Sequence, residues 1–220
     1  MKKIILLEYF TSQSVFHFKT ENGILKEALS MSNSIIKNFA KYKHIQEIVV
    51  IRNQELAIIK IKKVKYLFTS KKKSYLDILN DLNSKIEVLL IAPETEKINL
   101  EFCSILKKNL IILNSSSVCL KTFSSKAKTF KALKKLQIPV VNSFDNEKTS
   151  NNEVIIKPVY GAGSQNTLIA NAYNFKGNKK NYIFQKYYKG TKGSFLMLCN
   201  KGESKVLCCN KQIIEIKNEK

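Results

Sequence analysis

Tryptophan is absent, and the three prolines in 220 residues leave little room for an extended proline-rich linker. Two histidines, His17 and His44, stand far apart with no HxH or HxxxH spacing, which argues against a metal site built on them. The five cysteines (Cys103, Cys119, Cys199, Cys208 and Cys209) are odd in number and form no CxxC pair. Neither a disulfide framework nor a zinc site fits that pattern, so reduced thiols in a cytosolic protein are expected. Long apolar runs are missing too. The opening Ile4-Ile5-Leu6-Leu7 is closed by Glu8, too early for a signal-peptide core, and no later stretch reaches the length that spans a bilayer. The expectation is a soluble, cytoplasmic chain with no membrane partner.

Arginine is the scarcest of the charged residues, because Arg52 stands alone among 38 basic side chains. Against 17 acids these give a formal charge of +21. A basic surface attracts nucleic acid or phosphorylated ligands. Nucleic-acid readers, however, favour arginine for bidentate contacts and gather their charge on one face. Here lysines run from Lys2 to Lys220, and lysine, asparagine and isoleucine rise together as a general surface bias would have it. Nucleic-acid binding therefore ranks behind the other readings. With 44% hydrophobic residues, the chain can bury one large core or two small ones.

The first half alternates short apolar runs with amphipathic stretches, the pattern of a layered α/β domain. Strands are predicted at Ile4–Leu7, Glu47–Ile51, Val88–Ile91 and Leu110–Leu113. Helical spacing predicts a helix over Gly23–Phe39 with Ile24, Ala28, Met31, Ile35 and Phe39 inward, and another over Tyr75–Leu82. After Pro93, Thr95 and Glu96 suit a helix start, with Leu100, Cys103 and Leu106 then inward. The polar patch Asn114–Ser117 marks a boundary between residues 1–114 and 115–220. Beyond it a helix is expected from Ser124 to about Gln137, with Ala127, Phe130, Leu133 and Leu136 on one face. A polar loop, Asn142–Asn152, follows. Strands then dominate: Val154–Ile156, Thr167–Ile169, Tyr182–Phe184, Ser194–Leu198, Val206–Cys209 and Ile213–Ile216. The second half is an α+β unit rich in hairpins.

Chemistry concentrates in Val154-Ile-Ile-Lys157-Pro158-Val-Tyr-Gly161-Ala162-Gly163-Ser164, where a strand ends in lysine and runs into a glycine loop and another strand. A strand-end lysine is held rigidly enough to neutralise phosphate oxygens. The two glycines let the backbone approach those oxygens, and their amides with the Ser164 hydroxyl can donate into an anion-binding concavity. A Walker loop is excluded because no Gly-Lys-Ser/Thr follows, and a Rossmann turn because Asn166 holds the sixth position and a strand comes next. A lone hairpin turn would also carry Gly-Ala-Gly; the preceding Ile-Lys-Pro favours the phosphate reading.

The same stretch resembles the ATP-grasp superfamily, in which a hydrophobic-Val-Lys-Pro strand leads into a glycine-rich loop over the triphosphate. Ser125-Lys126 and Ile138-Pro139-Val140 resemble the family's "DK...L...GIPVP" stretch, whose lysine also reaches the nucleotide, with Ser125 at the aspartate position and Gln137 at the glycine. Phe184-Gln185-Lys186-Tyr187 through Gly190 resembles the linker where backbone and neighbouring side chains meet the adenine. Lys186 occupies the family's acidic position there, so that side-chain contact does not carry over. Within the superfamily the likeness is to the archaeal tyramine–glutamate ligase group. Leu7-Glu8-Tyr9 resembles its "FEY", Ala92-Pro93-Glu94 its "APE", and Asn210-Lys211-Gln212 its "NRQ".

The resemblance implies an α/β pre-ATP-grasp, Rossmann-like domain over 1–114, then an α+β ATP-grasp domain over 115–220 whose last subdomain is incomplete. It implies a ligase that joins a small carboxylate, glutamate by likeness, to an amine through an acyl phosphate, with ATP and Mg2+. Lys126, Lys157, Gly161, Ala162, Gly163, Ser164, Gln185, Lys186 and Tyr187 are the expected nucleotide residues, and Glu8 and Glu94 the expected substrate residues, with solvated loop carboxylates as the plain alternative. The metal ligands are expected beyond this chain, since Glu215, Asn218 and Glu219 do not reproduce the family's ending. A completing partner chain or homo-oligomer, or a truncated, non-catalytic ATP-binding protein, is the alternative outcome.

Overall fold

The computed structural model describes residues 2–15, 22–82, 86–94, 97–106, 110–144 and 153–214. Strand β1 (Lys2–Glu8) is central because it has no polar face: Ile4 through Glu8 are all buried. It pairs in parallel with β2 (Ile45–Asn53) on one side and β4 (Glu87–Ile91) on the other. β3 (Val64–Thr69) and β5 (Ile111–Ile112) complete a five-stranded parallel sheet in the order β3-β2-β1-β4-β5. A parallel sheet needs cover on both faces, and alternate residues of β1 serve the two layers. Ile4 and Leu6 pack with Ile36 of α1 (Asn22–Phe39). Ile5 and Leu7 pack with α2 (Tyr75–Asn80), α3 (Ile98–Leu106) and α4 (Ser117–Phe123) through Ile78, Phe102 and Leu120.

The chain runs from β1 outward through β2 and β3, then crosses back to β4 on the other side of β1. At such a reversal the connections leave in opposite directions, so a crevice opens beyond the carboxyl ends of β1 and β4. Glu8 and Ile91 mark that place and face each other in the register.

A second sheet, antiparallel and ordered β6-β9-β7-β8, follows. It comprises β6 (Ser143–Phe144), β7 (Glu153–Pro158), β8 (Leu168–Asn171) and β9 (Tyr182–Lys186). Period-2 alternation puts Val154, Ile156 and Phe184 into a small core with Ala172 and Phe175. It turns Ile155, Lys157 and Gln185 to the other face, with Ile155 directly opposite Gln185. Helix α5 (Lys126–Lys135) precedes this sheet, and a two-stranded ribbon of β10 (Gly193–Asn200) and β11 (Glu203–Lys211) follows it.

Several expectations need correction. In α1 Ala28, Ser32 and Ile36 are buried, and Ile35 and Phe39 pack partly buried against the core as expected, whereas Ile24 and Met31 are 47% and 42% exposed. They lie toward the crevice, a wall that an apolar count cannot tell from a core. Leu136 lies beyond α5 and is 69% exposed rather than packed. β3 lies in a lysine-rich stretch, and α4 and β6 begin in polar segments, where apolar periodicity is weak. Ile213 and Ile214 lie outside any strand. Thr95, Glu96 and residues 215–220 fall outside the described residues.

Arg52 is fully buried. It donates to Ser32 Oγ (2.8 Å), Asn33 Oδ1 (3.0 Å) and the Ala57 carbonyl (2.8 Å), with its guanidinium over the Tyr66 ring. The sequence's single arginine is therefore a structural clamp between α1 and β2. It offers nothing to a phosphate backbone, which weakens the nucleic-acid reading further.

Candidate functional site

Lys157 is delivered by β7, next to last in the strand and paired with Ile183 of β9. Its ammonium donates to Gln185 Oε1 at 3.2 Å. Lys126 arrives from elsewhere in the chain, as the first residue of α5. Ser125 caps that helix by accepting from the Lys128 amide, and the Lys126 amide donates to the Val159 carbonyl at 2.9 Å. Serine and aspartate are interchangeable as N-caps, which is why Ser125 can occupy the family's aspartate position without loss of the turn. The other departure is accommodated at a strain. Gln137 takes the left-handed φ of 58° that ends α5, where a glycine would sit freely. Its amide donates to Lys134, and that of Ile138 to Leu133, forming a Schellman stop.

Lys126 Nζ then donates to the Gly161 carbonyl at 2.8 Å. This ties the helix start to the glycine loop and brings the two ammonium groups together. Burial lowers the affinity of both for a proton, and Lys126 is lowered further by the charge of Lys157. Two half-buried cations bonded to a neutral amide and a carbonyl make a locally positive site suited to an anion.

The loop itself departs from ordinary backbone. Gly161 has φ 116°, Gly163 φ 67°, Ser164 φ 58° and Asn166 φ 53°. A φ of 116° is open to glycine alone, and a Cβ at either glycine would meet no heavy atom within 4 Å. A ligand can thus approach the backbone closely.

The loop is the wall between two clefts. One, of about 660 Å³, lies over the cleft face of the second sheet. Lys126, Lys157, Gly161, Ala162, Gly163, Ser164, Gln185, Lys186 and Tyr187 all line it. The structure therefore brings every expected nucleotide residue to one place. The Lys186 ammonium leans over the Tyr188 ring, 5.2 Å from its centroid. Lys192, Thr191, Gln212 and Ile214 join the lining. Gln212 belongs to the stretch that resembles "NRQ", whereas Thr191, Lys192 and Ile214 carry no motif signal; the Gln212 amide donates to the Lys192 carbonyl and joins the two segments.

The other cleft, of about 1060 Å³, occupies the crevice at the strand-order reversal. Glu8, Glu27 and Glu101 line it with Lys97, Ile24 and Met31, and Gly161, Ala162 and Gly163 close its far side. Glu8 is not a solvated loop carboxylate. It is 2% exposed and accepts from the Phe10 amide (3.2 Å) and the Thr11 amide (2.7 Å). Burial raises its pKa against the opposing pull of those amides. Glu94 is not brought to the cleft: its carboxylate accepts from Asn99 Nδ2 at 2.7 Å and braces α3. Among the described residues no three His, Cys, Asp or Glu side chains gather where they could hold a metal ion, and no helix is long and apolar enough to cross a membrane.

This arrangement of sheets, lysines and glycine loop is the ATP-grasp fold. Residues 123–220 match the ATP-grasp domain family. An ATP-grasp superfamily structure from Archaeoglobus fulgidus superposes with a TM-score of 0.70 at 21% identity, covering 98% of this chain and 62% of that one. D-alanyl-alanine synthetase A from Vibrio cholerae gives 0.58 at 14% identity, covering all of this chain and 72% of that one. N5-carboxyaminoimidazole ribonucleotide synthetase from Thermotoga maritima gives 0.55 at 15%, covering 95% and 53%. The chain thus spans under two thirds of the Archaeoglobus and Thermotoga structures. No curated protein matches the sequence.

Proposed function

We propose that the chain binds ATP in the 660 Å³ cleft and works as a carboxylate–amine ligase. The observation that carries this reading is the convergence of Lys126 and Lys157 beneath a glycine loop in which four residues adopt positive φ. The triphosphate would lie between the two ammonium groups and the loop amides, and Gln185 with the backbone of Lys186 and Tyr187 would meet the base. Residues 1–114 would serve as the pre-ATP-grasp domain and 115–220 as the nucleotide-binding domain. The magnesium that accompanies ATP would take its carboxylates from outside the described residues.

The chemistry follows from the shared wall. A carboxylate held in the larger cleft would reach the γ-phosphate around the edge of the glycine loop, where the two clefts meet. One of its oxygens would form the bond to the γ-phosphorus as the bond from that phosphorus to the β-bridging oxygen breaks, leaving ADP. An amine then attacks the acyl carbon and expels phosphate, giving an amide and losing a proton to solvent. The protein's part is alignment and charge neutralisation, which suits a site rich in lysine and backbone donors and needing no protein nucleophile. The sequence likeness to the tyramine–glutamate ligase group makes glutamate the first acid to try.

Titration with AMP-PNP tests the nucleotide step. Binding by the wild type and its loss in Lys126→Ala are expected; no binding at millimolar nucleotide would end the proposal. Release of ADP that requires both an acid and an amine tests the ligase step.

A further inference from the structure

We propose that Lys97 receives the carboxylate of the acid substrate, where the crevice meets the glycine loop. The inference rests on the nucleotide reading above. Its starting point is a reversal of charge. In a sequence with 38 basic and 17 acidic residues, the larger cleft is lined by three carboxylates and, among the described residues, one cation. That cation is Lys97.

Position gives the residue its meaning. Lys97 precedes α3 with a left-handed φ of 63°, and its ammonium stands 5.1 Å from the centroid of the Tyr160 ring. Tyr160 is bonded to Gly161, whose carbonyl accepts from Lys126 on the other side. A two-residue stretch of wall therefore has a cation on each face: Lys126 toward the nucleotide cleft, Lys97 toward the crevice. Glu8 is already committed to the amides of its own loop, and Glu27 and Glu101 repel an incoming carboxylate. Lys97 is the lining side chain that attracts a carboxylate, and its contact with Tyr160 puts it where the crevice meets the glycine loop. An acid entering this cleft is thereby turned so that its carboxylate lies against the wall shared with the triphosphate, and any ammonium it carries lies among the carboxylates.

The present partner of Lys97 is one that a substrate can displace. A cation over an aromatic face at a solvent-accessible site is held more weakly than in a charge-assisted hydrogen bond to a carboxylate. Exchange of Tyr160 for the acid is favourable, and it frees Tyr160, so occupancy of the crevice is felt at the glycine loop. Lys97 is thus a positioning residue for the acid and takes no proton.

The test uses the full chain with its lysines reductively methylated with carbon-13, a change that keeps their charge. The Lys97 signal is assigned by its loss in Lys97→Arg and is expected to start displaced by the Tyr160 ring current, an offset that Tyr160→Leu removes. With AMP-PNP present, L-glutamate or acetate should move the Lys97 signal, while AMP-PNP alone moves those of Lys126 and Lys157. Followed through the Gly161 and Gly163 amides, Lys97→Met should raise half-saturating glutamate about tenfold or more and leave AMP-PNP affinity within about twofold. A Lys97 signal that ignores both carboxylates, or answers to AMP-PNP alone, overturns the assignment while Lys126 and Lys157 still report the nucleotide. If those two ignore AMP-PNP, the nucleotide reading fails, and the role of Lys97 with it.

Discussion

Replacing Lys157 with alanine should separate two effects that usually move together. In the ligand-free protein the ammonium makes one hydrogen bond, to Gln185, and is opposed by burial and by the neighbouring Lys126. That bond has a charged donor and contributes about 1.5–3 kcal/mol before solvent screening, while burial of the ammonium and repulsion from Lys126 oppose it, so Lys157→Ala should leave ligand-free stability within about 1 kcal/mol. The bound state is different. A hydrogen bond to a charged group contributes about 1.5–3 kcal/mol, so losing one raises the nucleotide Kd by roughly 10- to 150-fold. At a nucleotide concentration about 100 times the wild-type Kd, linkage gives about 2.7 kcal/mol of stabilisation in the wild type and about 0.3–1.4 kcal/mol in the variant. For a chain of this size that is a melting shift of about 5–11 °C against about 1–6 °C. Thermal melts of both proteins with and without AMP-PNP make the comparison. Equal shifts would refute the idea that this ammonium touches the ligand.

The lysine pair also sets a pH signature. Both folded pKa values lie below the ordinary 10.5, so between those lowered values and 10.5 the unfolded chain binds more protons than the folded one. Their contribution to stability therefore rises with pH across that window, and a Lys126→Met, Lys157→Met double variant should lose this part of the slope in urea melts at stepped pH. Glu8→Gln should destabilise the β1 end by about 1–2 kcal/mol, because an amide oxygen can replace only one of two carboxylate acceptors. Since burial raises the Glu8 pKa, its contribution is greatest at acid pH and is lost as pH climbs through the folded value, and this loss should be absent from the variant's pH–stability curve. Gly161→Ala meets no atom within 4 Å yet forces a side chain onto φ 116°, so about 1–3 kcal/mol of strain should reshape the loop and weaken AMP-PNP binding. Unchanged calorimetric affinity would show that the loop is not part of the nucleotide site.

Local chemistry made much of this protein legible from sequence alone. Ile4–Leu7 and Val88–Ile91 are apolar on both faces, and only a central parallel strand needs that. Lys157-Pro158 followed by Gly161 and Gly163 combines a rigid charge with permissive backbone, and both properties belong to the residues themselves. Ser125 announces a helix start by its own hydroxyl. What the sequence could not contain is which distant groups share a wall. Lys126 reaches Gly161 across 35 positions, and Lys97 meets Tyr160 only because α3 and the glycine loop approach the same crevice. The burial of Glu8, the exposure of Ile24 and Met31 along the cleft, and the clamp formed by Arg52 likewise depend on the packing of α1 against the sheet. Periodicity measures which side of an element is apolar; tertiary packing alone decides whether that side meets a core or lines an opening.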